Sequence, residues 1–350
     1  MLGKIKQIIC VICLCAFTFG ILVYLLSNGE KIVNIMLTSD AEVFEPQVNI
    51  LSENEKIEIQ EDLEIIETIM EFDSKPTDFL EEIFPQLSPD PNRDWAEVIE
   101  TSIGGGTQVD NFTVNDSSGA SVDLEEKLEE DLPFSVELSE EPLVLIYHTH
   151  TSEAYMSGYT GYYYLDTDTR TTNNDLNVTS VGEVLKETLE ANGISVIHDI
   201  TVHDSVYTGS YDRSAETVAE YLEKYPSIKI TIDVHRDSMT TDSGAKYKPT
   251  VSINGTDSAQ IMLIAGSDPS GILEYDNWED NLIFNLKLAQ MAETLYPGLM
   301  RPVMYCERKY NMDMTNASIL IEVGTEVNTI SEAKYAGELM GDVIAKVILG

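Results

Sequence analysis

Cysteine is nearly missing from this chain once its apolar start is passed. Cys10, Cys13 and Cys15 fall within the first stretch, and Cys306 stands alone in everything after it. A disulfide framework and a cysteine-built zinc site are both excluded there. Positive charge is also scarce: Lys+Arg 21 against Asp+Glu 61, a formal net charge of -40. That excludes nucleic acid as a partner, because a phosphate backbone needs a basic surface. Surface repulsion and solubility are the ordinary consequence of such acidity. Histidine is rare as well. Two of the five histidines in 350 residues lie in one short stretch, HTHTSE, as His148 and His150.

Residues 8–26 lack charge altogether, over a run of about the length that crosses a bilayer. Lys4 and Lys6 precede it, which favours an inside N-terminus and export of the C-terminal portion. The expectation is a single-span anchor over residues 1–37, in the cell membrane, with the rest of the chain extracytoplasmic. A cleaved signal peptide is the rival, but no small-residue cleavage site comes after the run. An exported enzyme cannot rely on ATP or NAD.

Residues 38–141 are acidic and include the Gly-, Ser-, Asn- and Asp-rich stretch TSIGGGTQVDNFTVNDSSGASVD. This composition predicts a largely disordered linker, unable to bury enough apolar surface to offset ordering entropy. Two segments inside it, at 62–74 and 78–90, carry apolar residues at near-helical spacing and predict short amphipathic helices.

Residues 142–350 alternate strand and helix patterns. LVLIYH, ISVIH, IKITIDVH and SILIEVG read as buried strands. Ser180 and Glu183 have capping-box spacing ahead of a helix that Gly193 would close. Asn254-Gly255 predicts a hairpin turn, and Thr329 with Glu332 opens the last helix. The fold class is therefore α/β, a mostly parallel sheet covered by helices. In such sheets the site lies beyond the carboxyl ends of the strands.

Three strand ends carry the residues of interest. The first offers His148, His150 and Glu153; the third, DVHRDS, offers His235, Arg236 and Asp237; the last offers Glu322. Two imidazoles and a carboxylate make a three-ligand Zn2+ site with a fourth position open to water. The H-x-x-E spacing turns His150 and Glu153 toward one ion, and His235 completes the set from another strand. A lone H-x-x-E arises often by chance; the strand-terminal His and Glu are what strengthen it. Glu322, closing an apolar strand, is the candidate proton carrier, although it could instead neutralise an arginine. Arg236 is the candidate to hold developing negative charge. His148 and Asp237 are candidates for substrate contact or support of the ligands. Asn281, in NWEDN, is more simply part of a helix start, with substrate contact the minor reading. His198 and His203 read as structural.

LVLIYHTHTSEAY, SYDRSAETV, ITIDVHRDS, NWEDNLIFNLKLA and NASILIEVGTEVNTISEAKYAGELM occur in order. Together, over about residues 142–350, they resemble the stage II sporulation protein P family. The resemblance implies a fold similar to zinc-dependent N-acetylmuramoyl-L-alanine amidases. It also implies a membrane-anchored peptidoglycan hydrolase with amidase activity and a further endopeptidase activity on cross-links. The setting it implies is the engulfment septum, beside stage II sporulation proteins D and M. Within it, His150 and His235 match the metal histidines, Glu153 the H-x-x-E carboxylate, and Glu322 the glutamate of L-I-E-x-G. Rival readings are a metallocarboxypeptidase-like exopeptidase, a metal-dependent barrel hydrolase using His148-Thr149-His150, and an inactive wall-binding scaffold.

Overall fold

The computed structural model describes residues 89–350 and, nearer the N-terminus, the backbone of three strands, β1 (Ile9–Cys13), β2 (Ile21–Ser27) and β3 (Lys31–Leu37). The chain divides into two units, Met1–Phe79 and Leu80–Gly350. In the first, β1, β2 and β3 form an antiparallel sheet. Here the structure departs from the expected membrane-spanning helix: the described parts of residues 8–26 are extended. Among the described residues no helix is long and apolar enough to cross a membrane. The physical reason is local, since Ile9, Val11, Ile12, Ile21 and Val23 are β-branched and fit a strand at least as well as a helix. The amphipathic segments expected at 62–74 and over most of 78–90 lie outside the described residues.

The second unit runs β4 (Trp95–Thr101), β5 (Thr107–Val109), β6 (Phe112–Ser117), α1 (Leu124–Glu129), β7 (Val144–Tyr147), β8 (Tyr162–Tyr164), α2 (Val178–Ala191), β9 (Val196–His198), α3 (Ser210–Lys224), β10 (Ile230–Asp237), β11 (Lys246–Ile253), β12 (Thr256–Ala259), β13 (Ile261–Gly266), α4 (Trp278–Leu295), β14 (Val303–Cys306), β15 (Ala317–Thr325) and α5 (Ile330–Leu349). Eight strands form one sheet in the order β5-β6-β14-β13-β15-β10-β7-β9. β15, β10, β7 and β9 are mutually parallel, as are β6, β14 and β13. The two blocks meet antiparallel at β13 and β15. The sheet is thus mixed, though largely parallel. A smaller sheet, β12-β11-β4-β8, accompanies it.

Strand alternation sets which residues face which layer. In β7, Val144 and Ile146 join the main core with α2, α4 and α5, while Leu145 and Tyr147 pack with Val218 of α3. Asp233 stands level with Tyr147, and His235 with Glu322, so His235 and Glu322 share the α3 face. The register breaks between His235 and Asp237, a bulge at the rim of the kind that re-aims a side chain.

Local signals are met at several places. Asn254 and Gly255 both have positive φ, as a type I′ turn requires, and join β11 to β12. The Thr329–Glu332 capping box is present in both halves. Gly193 follows α2 in the left-handed region, but α2 begins at an Asn177 cap rather than at Ser180, because the Asn177 side chain accepts the Thr179 N–H. β12 and β13, continuous in the sequence pattern, serve different sheets. Gln260 turns the corner: its Oε1 accepts the Ile103 N–H at 2.6 Å and its Nε2 donates to the Gly298 carbonyl at 2.9 Å.

The expected linker over 38–141 differs in its second half. β4 pairs with β11 and β8, and β6 pairs with β14, so residues 95–117 contribute to both sheets. Their apolar residues (Ala96, Val98, Val109, Phe112, Val114) are buried, and the strands that β4 and β6 join, β11, β8 and β14, lie far along the chain. The composition there serves turns rather than disorder. Gly106, at φ +83°, sits where a Cβ would lie 2.7 Å from the Val114 carbonyl oxygen.

Candidate active site

β7 ends at Tyr147, and the chain then folds into a turn closed by the Glu153 N–H donating to the His150 carbonyl at 3.1 Å. That bond is why the H-x-x-E spacing presents both side chains on one side. Thr149 points the other way, its N–H and Oγ1 donating to Asp233 at 2.8 and 2.6 Å. His148 and His150, which would face alike on a strand, therefore part company.

His150, Glu153, His235 and Glu322 line one cavity of about 440 Å³, with Arg170, Tyr207 and Tyr211 among its walls. The His150 ring lies 5.3 Å from that of His235 and stacks on Tyr207 at 4.8 Å. His235 Nδ1 is 3.5 Å from Glu153 Oε2, and its Nε2 is 3.0 Å from Asp233 Oδ1, without hydrogen-bond alignment. Burial works against charge on His235, but Asp233 and Glu153 outweigh it and hold the imidazole well above its ordinary pKa. Burial would also raise Glu153; its hydrogen bond to His235 and the charges of His235 and Arg236 reverse this and place it at about 2. His150 is lowered, by burial first and then by His235.

Glu322 has the opposite character. Burial pushes it up to about 8, opposed by His235 and reinforced by Glu153 and Asp237. Its Oε2 is buried without a hydrogen-bond partner. A carboxyl that keeps its proton near neutrality, level with His235 on the next strand, is equipped to give or take one.

The donors fit a divalent metal in kind. His150 Nδ1 is buried and unpartnered, and the carboxylate field of Asp233 and Glu153 that holds a proton on His235 would equally hold a cation. They are not pre-assembled: among the described residues no three His, Cys, Asp or Glu side chains converge as a coordination group.

Other candidates are placed elsewhere. His148 is sealed in the core, its Nδ1 3.0 Å from the Val234 carbonyl and its Nε2 2.8 Å from His198 Nε2. Burial, then His198, lowers it to about 3. His198 in turn meets Glu183 at 2.9 Å. Gly182 makes room for this pair, since a Cβ there would lie 2.6 Å from His198 Nε2. His203 is buried between the His148 carbonyl and Thr217. Arg236 lines the same cavity as His150 and is also tied into its wall. Its guanidinium donates to the carbonyls of Ala154, Thr169 and Asp237, and its backbone N–H to Glu153, so it clamps the loop that carries the H-x-x-E turn. Asn281 also departs from substrate contact: its Nδ2 donates to Met312 and Thr315 carbonyls and its Oδ1 accepts the Ser318 N–H, tying α4 to the start of β15. Asp237 lies on the cavity wall, bonded to Ser238 N–H and Arg301.

Two arginines escape the sequence reading. Arg170 binds Asp204 and approaches Glu153 Oε1 at 3.7 Å. Arg301 is buried beside Asp237. Neither sits at a strand end in a motif, so no local signal marks them.

Comparisons with known proteins bear on the same region. Among solved structures the likeness is one of fold alone. N-acetylmuramoyl-L-alanine amidase AmiC2 of Nostoc punctiforme is similar at TM-score 0.35 and 13% identity, over 61% of this chain and 97% of that one. The CwlD amidase from Clostridioides difficile, in complex with the GerS lipoprotein, is similar at TM-score 0.34 and 13% identity, over 59% and 96%. Stage II sporulation protein P of Bacillus subtilis (strain 168) is 28% identical over 218 residues, 59% of this chain and 51% of that protein, so the match spans about half the length of this curated relative. A family model for stage II sporulation protein P matches residues 97–345, taking in β4 to β6 as well as the cavity. The chain belongs to the stage II sporulation protein P family.

Proposed function

We propose that this protein is a peptidoglycan hydrolase that cleaves the amide between the lactyl group of N-acetylmuramic acid and L-alanine. The observation that carries the reading is that three strand ends bring His150, Glu153, His235 and Glu322 to the wall of one cavity. Burial of Glu153 is outweighed by its hydrogen bond to His235, which keeps it the anion a ligand must be, while burial raises Glu322 and leaves it to handle the proton. Membership of the sporulation family supports the wall as the substrate's source.

His150, Glu153 and His235 would hold Zn2+, which when bound lowers the pKa of water and polarises a carbonyl. The chain's own residues supply the rest. Glu322, in its ionised form, takes a proton from the attacking water and gives it to the departing amine nitrogen, as the new bond from water oxygen to the carbonyl carbon replaces the bond from carbon to nitrogen. Arg236 fixes the turn that orients Glu153, and Tyr207 packs flat on His150 to set its ring plane. Cross-link endopeptidase activity, action in the engulfing septum beside stage II sporulation proteins D and M, and attachment to the cell membrane through the apolar residues 8–26 belong to the same proposal.

Digestion of purified sacculi, read by mass spectrometry with parallel metal analysis, tests it. Intact stem peptides and about one zinc per chain, both lost in His235→Ala, are expected. Free terminal amino acids as the main product would favour an exopeptidase, and hydrolysis by neither route would leave a wall-binding scaffold.

A further inference from the structure

A second cavity, of about 680 Å³, adjoins the first and shares with it Asp237, Ile264, Tyr310 and Glu322. Its floor is set by strand register. Met262 stands level with Glu322, Ile264 with Leu320, Met304 with Ile264 and Asn115 with Met304, so one row crosses the sheet from the active site toward β6. Met304 is 40% exposed there, an uncovered apolar side chain in the middle of the sheet. Glu322 is the divide: His150, Glu153 and His235 lie on one side, and this cavity on the other.

Arg301 stands in the wall of that second cavity and is buried, at 6% exposure. Its Nη2 donates to Asp237 Oδ2 at 2.8 Å, while Nε and Nη1 have no partner. A buried guanidinium with donors left over is costly, and such groups are normally completed by a ligand or an ion. None of the acids lining this cavity, Asp116, Asp237 and Glu322, makes a hydrogen bond to Nε or Nη1. Asp116 is engaged by the N–H and Oγ of Ser118 at 2.9 and 2.7 Å, and Asp237 already accepts from Ser238 N–H and Arg301.

We propose that the cavity beyond Glu322 is the subsite for the departing peptide, and that Arg301 binds a free carboxylate of that peptide. This rests on the amidase reading in one respect: the group that protonates the leaving amine must stand between the reacting carbonyl and the rest of the peptide, and Glu322 stands there. The chemistry of Arg301 is independent of that reading. Guanidinium suits a carboxylate through charge-assisted hydrogen bonds, which a carboxamide cannot match. Met304 and Ile264 supply apolar contact for the aliphatic part of the same peptide.

The test is calorimetric binding to the full chain, stripped of metal, of an acidic stem-type peptide and of the same peptide with its carboxyl groups converted to carboxamides. Wild type is expected to prefer the carboxylate form by roughly tenfold or more. Arg301→Gln is expected to abolish the preference while changing carboxamide binding by less than about threefold, and Arg301→Lys to retain part of it. Equal binding of the two peptides by wild type, or a preference that survives in Arg301→Gln, overturns the proposal. So does equal loss of both peptides in the two variants together with a lowered melting temperature, which would make Arg301 a structural partner of Asp237. Sacculus digestion by wild type separates the two levels: a carboxylate preference without amide hydrolysis sinks the reaction and keeps the subsite, and hydrolysis without the preference does the reverse.

Discussion

Two buried polar regions of this protein are built on opposite principles. Around Lys248, every charge is answered: its ammonium meets Glu332 at 2.6 Å and Glu100 at 2.8 Å, and Glu332 also caps α5 and accepts from Asn328. Around Glu322, the atoms are left open: His150 Nδ1, Glu322 Oε2 and two nitrogens of Arg301 have no partner. The first region holds the smaller sheet against α5, and its satisfaction is stability. The second carries a desolvation cost, because polar atoms normally do not stay orphaned in a fold. Tyr275, Asn285, Tyr305 and Glu326 also hold unpartnered atoms, but those around Glu322 are the ones that line a cavity.

The sharpest way to break this contrast is at Glu322. Glu322→Gln keeps the shape, removes the exchangeable proton, and is expected to lower kcat on sacculi by about 10²–10⁴-fold with the melting temperature unchanged or higher. A melting temperature that falls by many degrees would show the open region to be structural after all. Lys248→Met should do the reverse. Leaving Glu332 buried without its cation is expected to cost about 3–5 kcal/mol in urea unfolding, with turnover per folded molecule preserved.

Acid separates the regions by titration. The His148 imidazole, lowered to about 3 from an ordinary 6.5, is neutral in the fold, so its contribution is present above pH 6.5 and is lost as pH falls toward 3. Glu153, lowered to about 2 from 4.5, loses its contribution over a lower window, between 4.5 and 2. These two have the same sign, but Glu322, raised to about 8 from 4.5, takes up a proton in the fold as pH falls toward 4.5 and works the other way. The His148 share is therefore read as a difference: the unfolding free energy of wild type minus that of His148→Asn, measured from about pH 7 to about pH 4, is expected to fall by a few kcal/mol. A difference that stays constant with pH would place His148 outside the buried network. The smallest effect belongs to Asn281→Ala, expected to cost about 1–3 kcal/mol through the lost tie between α4 and β15, with kcat/KM unchanged. A selective rise in KM would restore Asn281 to substrate contact.

How much of the site is legible in the sequence varies by residue. His150, Glu153, His235 and Glu322 can be read because each follows an apolar strand run, and strand ends gather at one sheet edge. Arg170 and Arg301 cannot, because each acquires its role from a partner 34 or 64 positions away, Asp204 and Asp237 respectively. Arg236 and Asn281 are visible as polar residues near the site, but their donors prove committed to carbonyls that only the folded loops bring near. The short strands β5 and β6 are hidden in a turn-rich composition for the same reason.

By itself the sequence determined what neighbours along the chain can settle: the strands, the Asn254-Gly255 turn, the Thr329–Glu332 cap and the one-turn pairing of His150 with Glu153. Only the tertiary structure decided which histidine of HTH faces the cavity, that the largely parallel sheet is built of two parallel blocks meeting antiparallel at β13 and β15, and where the unpartnered donors lie. Local signals depend on backbone hydrogen bonds and side-chain spacing within a turn or two. Register between distant strands, and whether a buried atom finds a partner, are relations between parts of the chain that no short stretch contains.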